Sequence, residues 1–143
     1  MGRAASLLQL IEEHVELLEA KVVELGADRL VEDAFLFYAV LHTLQVASQA
    51  LIDLAAHAVA EAGLGVPDRY AALPELLAKV GALSDDETVT FRKIVGFRNV
   101  LVHGYAGVSR QLVHGILAER KFRDLEKLAL RIVEWARTRG IDP

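Results

Sequence analysis

The chain has no cysteine, three prolines in 143 residues and only 6% aromatic residues. The absence of cysteine excludes disulfides and thiolate metal sites, and it is compatible with a reducing cytoplasm. Basic residues do not outnumber acidic ones, because the formal net charge is -4 and the pI is near 5.7. A general nucleic-acid-binding protein would present a basic surface, so any contact with RNA is expected to be local.

The sequence also lacks an uninterrupted apolar run long enough to cross a membrane. Its most apolar longer region, residues 51–66, is interrupted by Asp53, His57 and Glu61, which is typical of a buried helix in a globular protein. The apolar run at the amino terminus is broken by two glutamates too early for a secretory signal. We therefore expect a cytoplasmic protein with no cleavable signal and no membrane span.

Alanine and leucine are abundant and raise the hydrophobic content to 53%. This composition favours helices over strands. Apolar residues recur at intervals of three and four from Ser6 to Leu25, and again from about Ala118 to Arg139. The length is that of about one domain. We predict an all-α, up-and-down helical bundle of about five helices, formed by a single domain over residues 1–143.

The second helix is predicted to run without a break from about Asp28 to Glu61, because no proline or glycine occurs before Gly63. Between Phe35 and Ala60 this helix is apolar on most of its circumference. A helix with so wide an apolar face needs partners on two sides. We therefore expect it to form both the centre of the bundle and part of a dimer interface.

Local signals place three further helix boundaries. Pro74 suits the first turn of a short helix over residues 73–80. Ser84 and Glu87 have the spacing of a capping box, which predicts that a fourth helix begins there and continues past residue 95. The helix after it could start at either Ser109 or Gly115.

Residues 97–105 gather more chemically capable side chains than any other stretch, in the pattern R-N-x-x-x-H-x-Y. Arg98 supplies a planar, permanently charged donor, His103 titrates near neutral pH, and Tyr105 carries a phenolic hydroxyl. In an ideal helix, positions five apart lie about 140 degrees apart, so Arg98 and His103 do not share one face. A helix end near His103, or a second copy of the chain, would be needed to bring both groups to one cleft.

This pattern, near the end of a helix in a small all-helical protein, resembles the HEPN superfamily and, more narrowly, the HepT toxins of HepT/MntA toxin-antitoxin systems. The resemblance extends to residues 31–34, to the loop at residues 66–67 and to residues 95–99, and it covers most of the chain. It implies a dimer with a composite site that cleaves tRNA or mRNA without a metal or other cofactor. It also implies a separate MntA-like nucleotidyltransferase antitoxin that silences the toxin by adenylylating Tyr105.

In such a site His103 would act as the base for a ribose 2′-hydroxyl, and Arg98 would stabilise negative charge on the phosphate. Asn99 could orient His103 or hold a phosphate oxygen, since it lies four residues earlier on the same face. Gly104 departs from the family pattern, because many members carry a larger and often basic residue there. Without that larger residue, the chain loses a possible phosphate contact, and the link between His103 and Tyr105 is looser.

Two other interpretations remain open at the level of sequence. An arginine and a histidine in one helix are more often a surface ion-pairing residue and a half-buried ring than a site. Alternatively, the chain is a non-catalytic HEPN module that binds a nucleotidyltransferase together with nucleotide or RNA. The histidines outside the motif lack metal-ligand spacing, so no metal site is expected. Asp33 and Asp53 lie in a largely apolar helix, where a carboxylate needs a partner, and either of them could help to position Arg98.

Overall fold

The computed structural model describes residues 2–142, which form seven α-helices and no strand. The helices are α1 (Arg3–Leu25), α2 (Ala27–Glu32), α3 (Ala34–Glu61), α4 (Leu73–Lys79), α5 (Asp85–His103), α6 (Arg110–Ala118) and α7 (Arg123–Thr138). Short 3₁₀ turns over Tyr70–Ala72 and Tyr105–Gly107 lead into α4 and α6. The predicted all-α bundle is therefore confirmed.

Helix α3 is the centre of the bundle and packs against α1, α4, α5 and α7. Among the described helices it alone has the length and composition of a membrane span, with a window of mean hydropathy 1.4. Half of that window (50%) is buried inside the bundle. Its apolar composition is accounted for by this packing, as in the core helix of a globular protein.

The predicted helix over residues 28–61 is wrong as a single element, because it is divided at Asp33. This residue has an extended backbone conformation, and its carboxylate accepts a hydrogen bond of 2.9 Å from the Leu36 amide. Asp33 is thus the N-cap of α3, and the short α2 packs against α6 as well as α3. The prediction considered only glycine and proline as breakers, whereas an aspartate cap also ends a helix by offering the backbone a local hydrogen bond.

The capping box at the start of α5 is confirmed. The Glu87 amide donates to Ser84 Oγ at 3.2 Å, and the Ser84 amide donates to Glu87 Oε1 at 2.8 Å. Both bonds satisfy backbone groups that the first turn of a helix leaves unpaired. Helix α5 is therefore fixed at its start, and it is nineteen residues long and ends at His103.

The end of the chain differs in part from the prediction. Ser109 is the N-cap of α6, since Leu112 donates its amide hydrogen to Ser109 Oγ at 3.1 Å, and Ser109 rather than Gly115 marks that start. The last helix begins at Arg123 instead of Ala118. The intervening turn contains Arg120 at φ 53, a left-handed conformation that interrupts the helical pattern.

Candidate functional site

The residues of the R-N-x-x-x-H-x-Y motif lie at the carboxyl end of α5 and in the turn after it. Helix α5 ends at His103, and Gly104 follows with φ 129 and ψ 141. An L-amino acid side chain is strained in that conformation, so a glycine suits this position. Its geometry turns the chain sharply and places Tyr105 at the start of a 3₁₀ turn.

The Arg98 side chain is half-buried and faces α3. Its Nε donates to Gln49 Oε1 at 2.8 Å, and its Nη1 donates to Asn99 Oδ1 at 3.1 Å. The guanidinium also lies over the Tyr70 ring, with Cζ 5.0 Å from the ring centroid. Arg98 is therefore held by α3, by its own helix and by the 3₁₀ turn before α4, and it makes no ion pair with a carboxylate among residues 2–142.

Asp53 reaches Arg98 indirectly. Gln49 Nε2 donates to Asp53 Oδ1 at 2.9 Å, one helical turn along α3, while the carbonyl of the same amide accepts from Arg98. The other aspartate considered for this role, Asp33, caps α3 instead. A carboxylate, an amide and a guanidinium thus form a continuous hydrogen-bonded chain.

Tyr105 also contacts α3. Its hydroxyl donates to Gln45 Oε1 at 2.6 Å, and its ring lies 5.7 Å from the ring of Tyr38 at an angle of 59°. Burial raises the pKa of Tyr105 from its ordinary value of 10.0, because the phenolate form loses hydration. Gln45 and Gln49 are four residues apart, so Tyr105 and Arg98 dock on the same face of α3, one turn from each other.

His103 does not join this group within one chain. Its side chain is exposed, and no hydrogen bond links it to another side chain within residues 2–142. Asn99 accepts from Arg98 rather than orienting His103. Since α5 is continuous from Arg98 to His103, the two side chains leave the helix about 140 degrees apart. The structure therefore brings together Arg98, Asn99 and Tyr105, and leaves His103 facing solvent beside them.

The histidines outside the motif have other surroundings. The ring of His14 bonds to a backbone carbonyl of its own helix, and His42 is exposed. His57 and His114 lie 3.2 and 2.6 Å from aspartate carboxylates. Over the described part of the chain, no group of three or more histidine, aspartate or glutamate residues could hold a metal ion.

Two cavities lie near the helices that carry the site, and the second borders the motif through Phe97 and Val100. One of about 470 Å³ is a shallow depression between α2 and α6, and the other, of about 540 Å³, is a groove between α3, α5, α6 and α7. Neither is lined by Arg98, Asn99, His103 or Tyr105.

Gln45 and Gln49 are the site residues that sequence reasoning missed. Two glutamines four positions apart, in a helix that is otherwise mostly apolar, indicate that this face of the helix binds polar groups. An amide in such a helix needs hydrogen-bond partners, and the spacing predicts that both side chains use the same face.

A family model described as "Ribonuclease HepT-like" matches residues 11–132. The chain belongs to the HepT-like family. Its predicted resemblance to HEPN and HepT proteins is thereby confirmed, and the match spans all of the helices except the beginning of α1 and the end of α7. A search of the curated proteins found no match.

Solved structures share the fold of this HepT-like chain. It is similar to a tri-AMPylated Shewanella oneidensis HEPN toxin in complex with an MNT antitoxin, at 22% identity and a TM-score of 0.82, over 94% of this chain and 98% of that one. A toxin-antitoxin with AMP-PNP matches at 22% identity and a TM-score of 0.81, over 92% of this chain and 98% of that one. A mutant MntA-HepT toxin-antitoxin matches at 23% identity and a TM-score of 0.79, also over 92% of this chain and 98% of that one.

Proposed function

We propose that this HepT-like chain is the toxin of a toxin-antitoxin pair, a metal-independent endoribonuclease that cleaves tRNA or mRNA in the cytoplasm. The observation that carries the proposal is the arrangement at the end of α5. Arg98 and Tyr105 dock one turn apart on α3, and the exposed His103 lies between them in sequence. A cation for phosphate and a modifiable hydroxyl are thus held on one face of α3, with an exposed imidazole beside them.

The chemistry follows from these groups. His103 removes the proton from a ribose 2′-hydroxyl, whose oxygen attacks the adjacent phosphorus. The bond from phosphorus to the 5′-oxygen breaks, and that oxygen takes a proton from solvent. Arg98 stabilises the charge that develops on the phosphate oxygens. The products are a 2′,3′-cyclic phosphate and a 5′-hydroxyl.

The functional unit is a homodimer whose sites combine residues from both copies. Within one chain, Arg98 and His103 leave α5 in different directions, so a second copy is needed to complete the site. Large apolar side chains are exposed on the two helices that carry the site, with Phe35 83% and Tyr38 52% exposed on α3 and Val100 45% exposed on α5. Burying such side chains against a second copy would stabilise the dimer.

The partner is an MntA-like nucleotidyltransferase that transfers an adenylyl group from ATP to the Tyr105 oxygen, which loses its proton as pyrophosphate leaves. The solved HEPN toxin with an MNT antitoxin is AMPylated, which supports this reading for a chain of the same fold. Adenylylation would attach a phosphodiester to the Tyr105 oxygen, one turn of α3 away from the guanidinium of Arg98. That phosphate would compete with RNA for Arg98 and so silence the toxin.

The ribonuclease is tested by incubating the purified chain with total tRNA in the presence of a chelator. Wild-type protein is expected to cut the RNA, while Arg98→Ala and His103→Ala are expected to be inactive. His14→Ala and Arg137→Ala, which alter a histidine on α1 and an exposed arginine on α7, are matched controls that should keep full activity. An inert wild-type protein would instead support the non-catalytic HEPN module.

The modification is tested by intact mass and peptide mapping after co-expression with an MntA-like nucleotidyltransferase. Adenylyl groups are expected on the peptide that contains Tyr105, and Tyr105→Phe should remain unmodified. Tyr38 and Tyr70, the other two tyrosines, are internal controls. An unmodified Tyr105 under these conditions would remove adenylylation from the account.

A further inference from the structure

We propose that Asp53 and Gln49 form a positioning relay that decides which edge of the Arg98 guanidinium faces the RNA phosphate. Both residues belong to α3, and neither is part of the R-N-x-x-x-H-x-Y motif. The part of this proposal that concerns RNA rests on the ribonuclease function proposed above. The part that concerns the orientation of Arg98 is independent of it.

The orientation of the Gln49 amide is determined by its two partners. Asp53 can only accept a hydrogen bond when ionised, so the amide nitrogen must face it, at 2.9 Å. Arg98 Nε can only donate, so the amide oxygen must face Arg98, at 2.8 Å. Reversing the amide would break both bonds at once. The carboxylate of Asp53 therefore selects the amide orientation that accepts from Arg98.

This arrangement leaves a defined set of donors on Arg98. A guanidinium has five N–H groups, of which Nε is used by Gln49 and one on Nη1 by Asn99. The Tyr70 ring covers one face of the group. The donors left over are on the two terminal nitrogens, which form the edge that binds phosphate in a bidentate manner. The relay thus turns that edge away from α3.

An amide between the two charges also has an electrostatic consequence. If a carboxylate touched Arg98 directly, it would neutralise the guanidinium and compete with the phosphate for the same donors. Gln49 transmits the orienting effect of Asp53 but adds no charge at Arg98. The arginine is therefore fixed in direction while its attraction for phosphate is retained.

The orientation is tested by NMR, through the Nε–H signal of Arg98 in the full chain. A hydrogen-bonded Nε–H exchanges slowly with water, so the wild-type signal is expected to be protected. Gln49→Met keeps the size of the side chain but removes the acceptor, and the protection should be lost. Asp53→Leu should reduce it. Asp53→Asn offers Gln49 an NH₂ group as well as an oxygen and so selects the amide orientation less strongly, and it should reduce the protection less than Asp53→Leu does. An unchanged signal in Gln49→Met would overturn the relay.

The consequence for RNA is tested with a 2′-O-methyl oligoribonucleotide, which binds but cannot be cleaved because its 2′-hydroxyl is blocked. In Gln49→Glu the new carboxylate should pair with Arg98 and weaken the binding of this RNA. The slope of log affinity against log salt concentration should become less steep by about 0.7, which corresponds to the loss of one phosphate contact. Gln49→Glu with wild-type affinity and slope would contradict the relay. If the wild-type chain does not bind this RNA, the proposed ribonuclease function is contradicted. The Nε–H signal of Arg98 would still show whether Asp53 and Gln49 orient the guanidinium.

Discussion

Tyr105 donates its hydroxyl hydrogen to Gln45, one turn of α3 before the glutamine that holds Arg98. The two glutamines thus fix the spacing between a hydroxyl and a guanidinium that come from different parts of the chain, a 3₁₀ turn and helix α5. If the hydroxyl carries a nucleotide, this spacing brings its phosphate near the arginine. Activity and its control would then share one face of the central helix.

We expect the Tyr105 phenol to titrate above its ordinary pKa of 10.0, because burial disfavours the phenolate. Gln45→Glu should raise the Tyr105 pKa further, since a carboxylate 2.6 Å away would oppose a second negative charge. Titration of ¹³Cζ-labelled tyrosine by NMR, with Tyr105→Phe to assign the signal, measures both values. A Tyr105 pKa at or below 10.0 in the wild-type protein would show that the phenol is not shielded as described.

Gly104→Ala is expected to destabilise the protein by about 1 to 3 kcal/mol, because an alanine is strained in this backbone conformation. An added Cβ meets no atom within 4 Å, so the cost is one of conformation and not of packing. Gly96→Ala is the matched control on α5, where a Cβ also meets nothing within 4 Å, and it should stabilise the helix by about 0.5 to 1 kcal/mol. Urea unfolding of both variants compares the two effects. Equal stability changes would be inconsistent with a special role for Gly104 in turning the chain.

Asp142 joins the end of the chain to its beginning, because its Oδ2 accepts from the Ala4 amide at 2.6 Å and lies 3.2 Å from His57 Nε2. The amide hydrogen bond first, and then the nearby His57, lower the Asp142 pKa. A lowered folded-state pKa means that the stabilisation is present above the unfolded value, near 3.9, and is lost as pH falls through the folded-state value.

Asp142→Asn should therefore lower Tm at neutral pH, and the difference from wild type should shrink as the pH approaches and passes below 3.9. Thermal unfolding followed by circular dichroism at several pH values measures this difference. Asp68→Asn, which alters an exposed aspartate in the loop between α3 and α4, is the control. A difference that stays constant from neutral to acid pH would exclude the proposed contribution of the Asp142 carboxylate.

The sequence predicted the features of this fold that depend on neighbouring residues. The capping box at Ser84 and Glu87 is encoded within a few positions, and so is the start of α6, for which Ser109 was one of two predicted positions. The same is true of the motif itself, because its residue types and spacing are local. Such features follow from the hydrogen bonds that helix ends need.

Features that depend on contacts between distant residues were not predictable in the same way. The packing of α2 against α6, more than seventy residues away in sequence, is one such feature. The partners of Arg98 and Tyr105 on α3 are 49 and 60 residues away along the chain. Periodicity identifies α3 as a core helix but does not give the rotation that turns Gln45 and Gln49 towards the motif. That rotation is set by packing.

The composite site is tested most directly by mixing two inactive variants, Arg98→Ala and His103→Ala, under conditions that let subunits exchange. In a mixed dimer with shared sites, one site keeps Arg98 from one copy and His103 from the other. The mixture is therefore expected to cleave tRNA although neither variant does so alone. If the mixture stays inactive while wild-type protein subjected to the same exchange cleaves tRNA, the site is not shared between two copies, and the account is wrong.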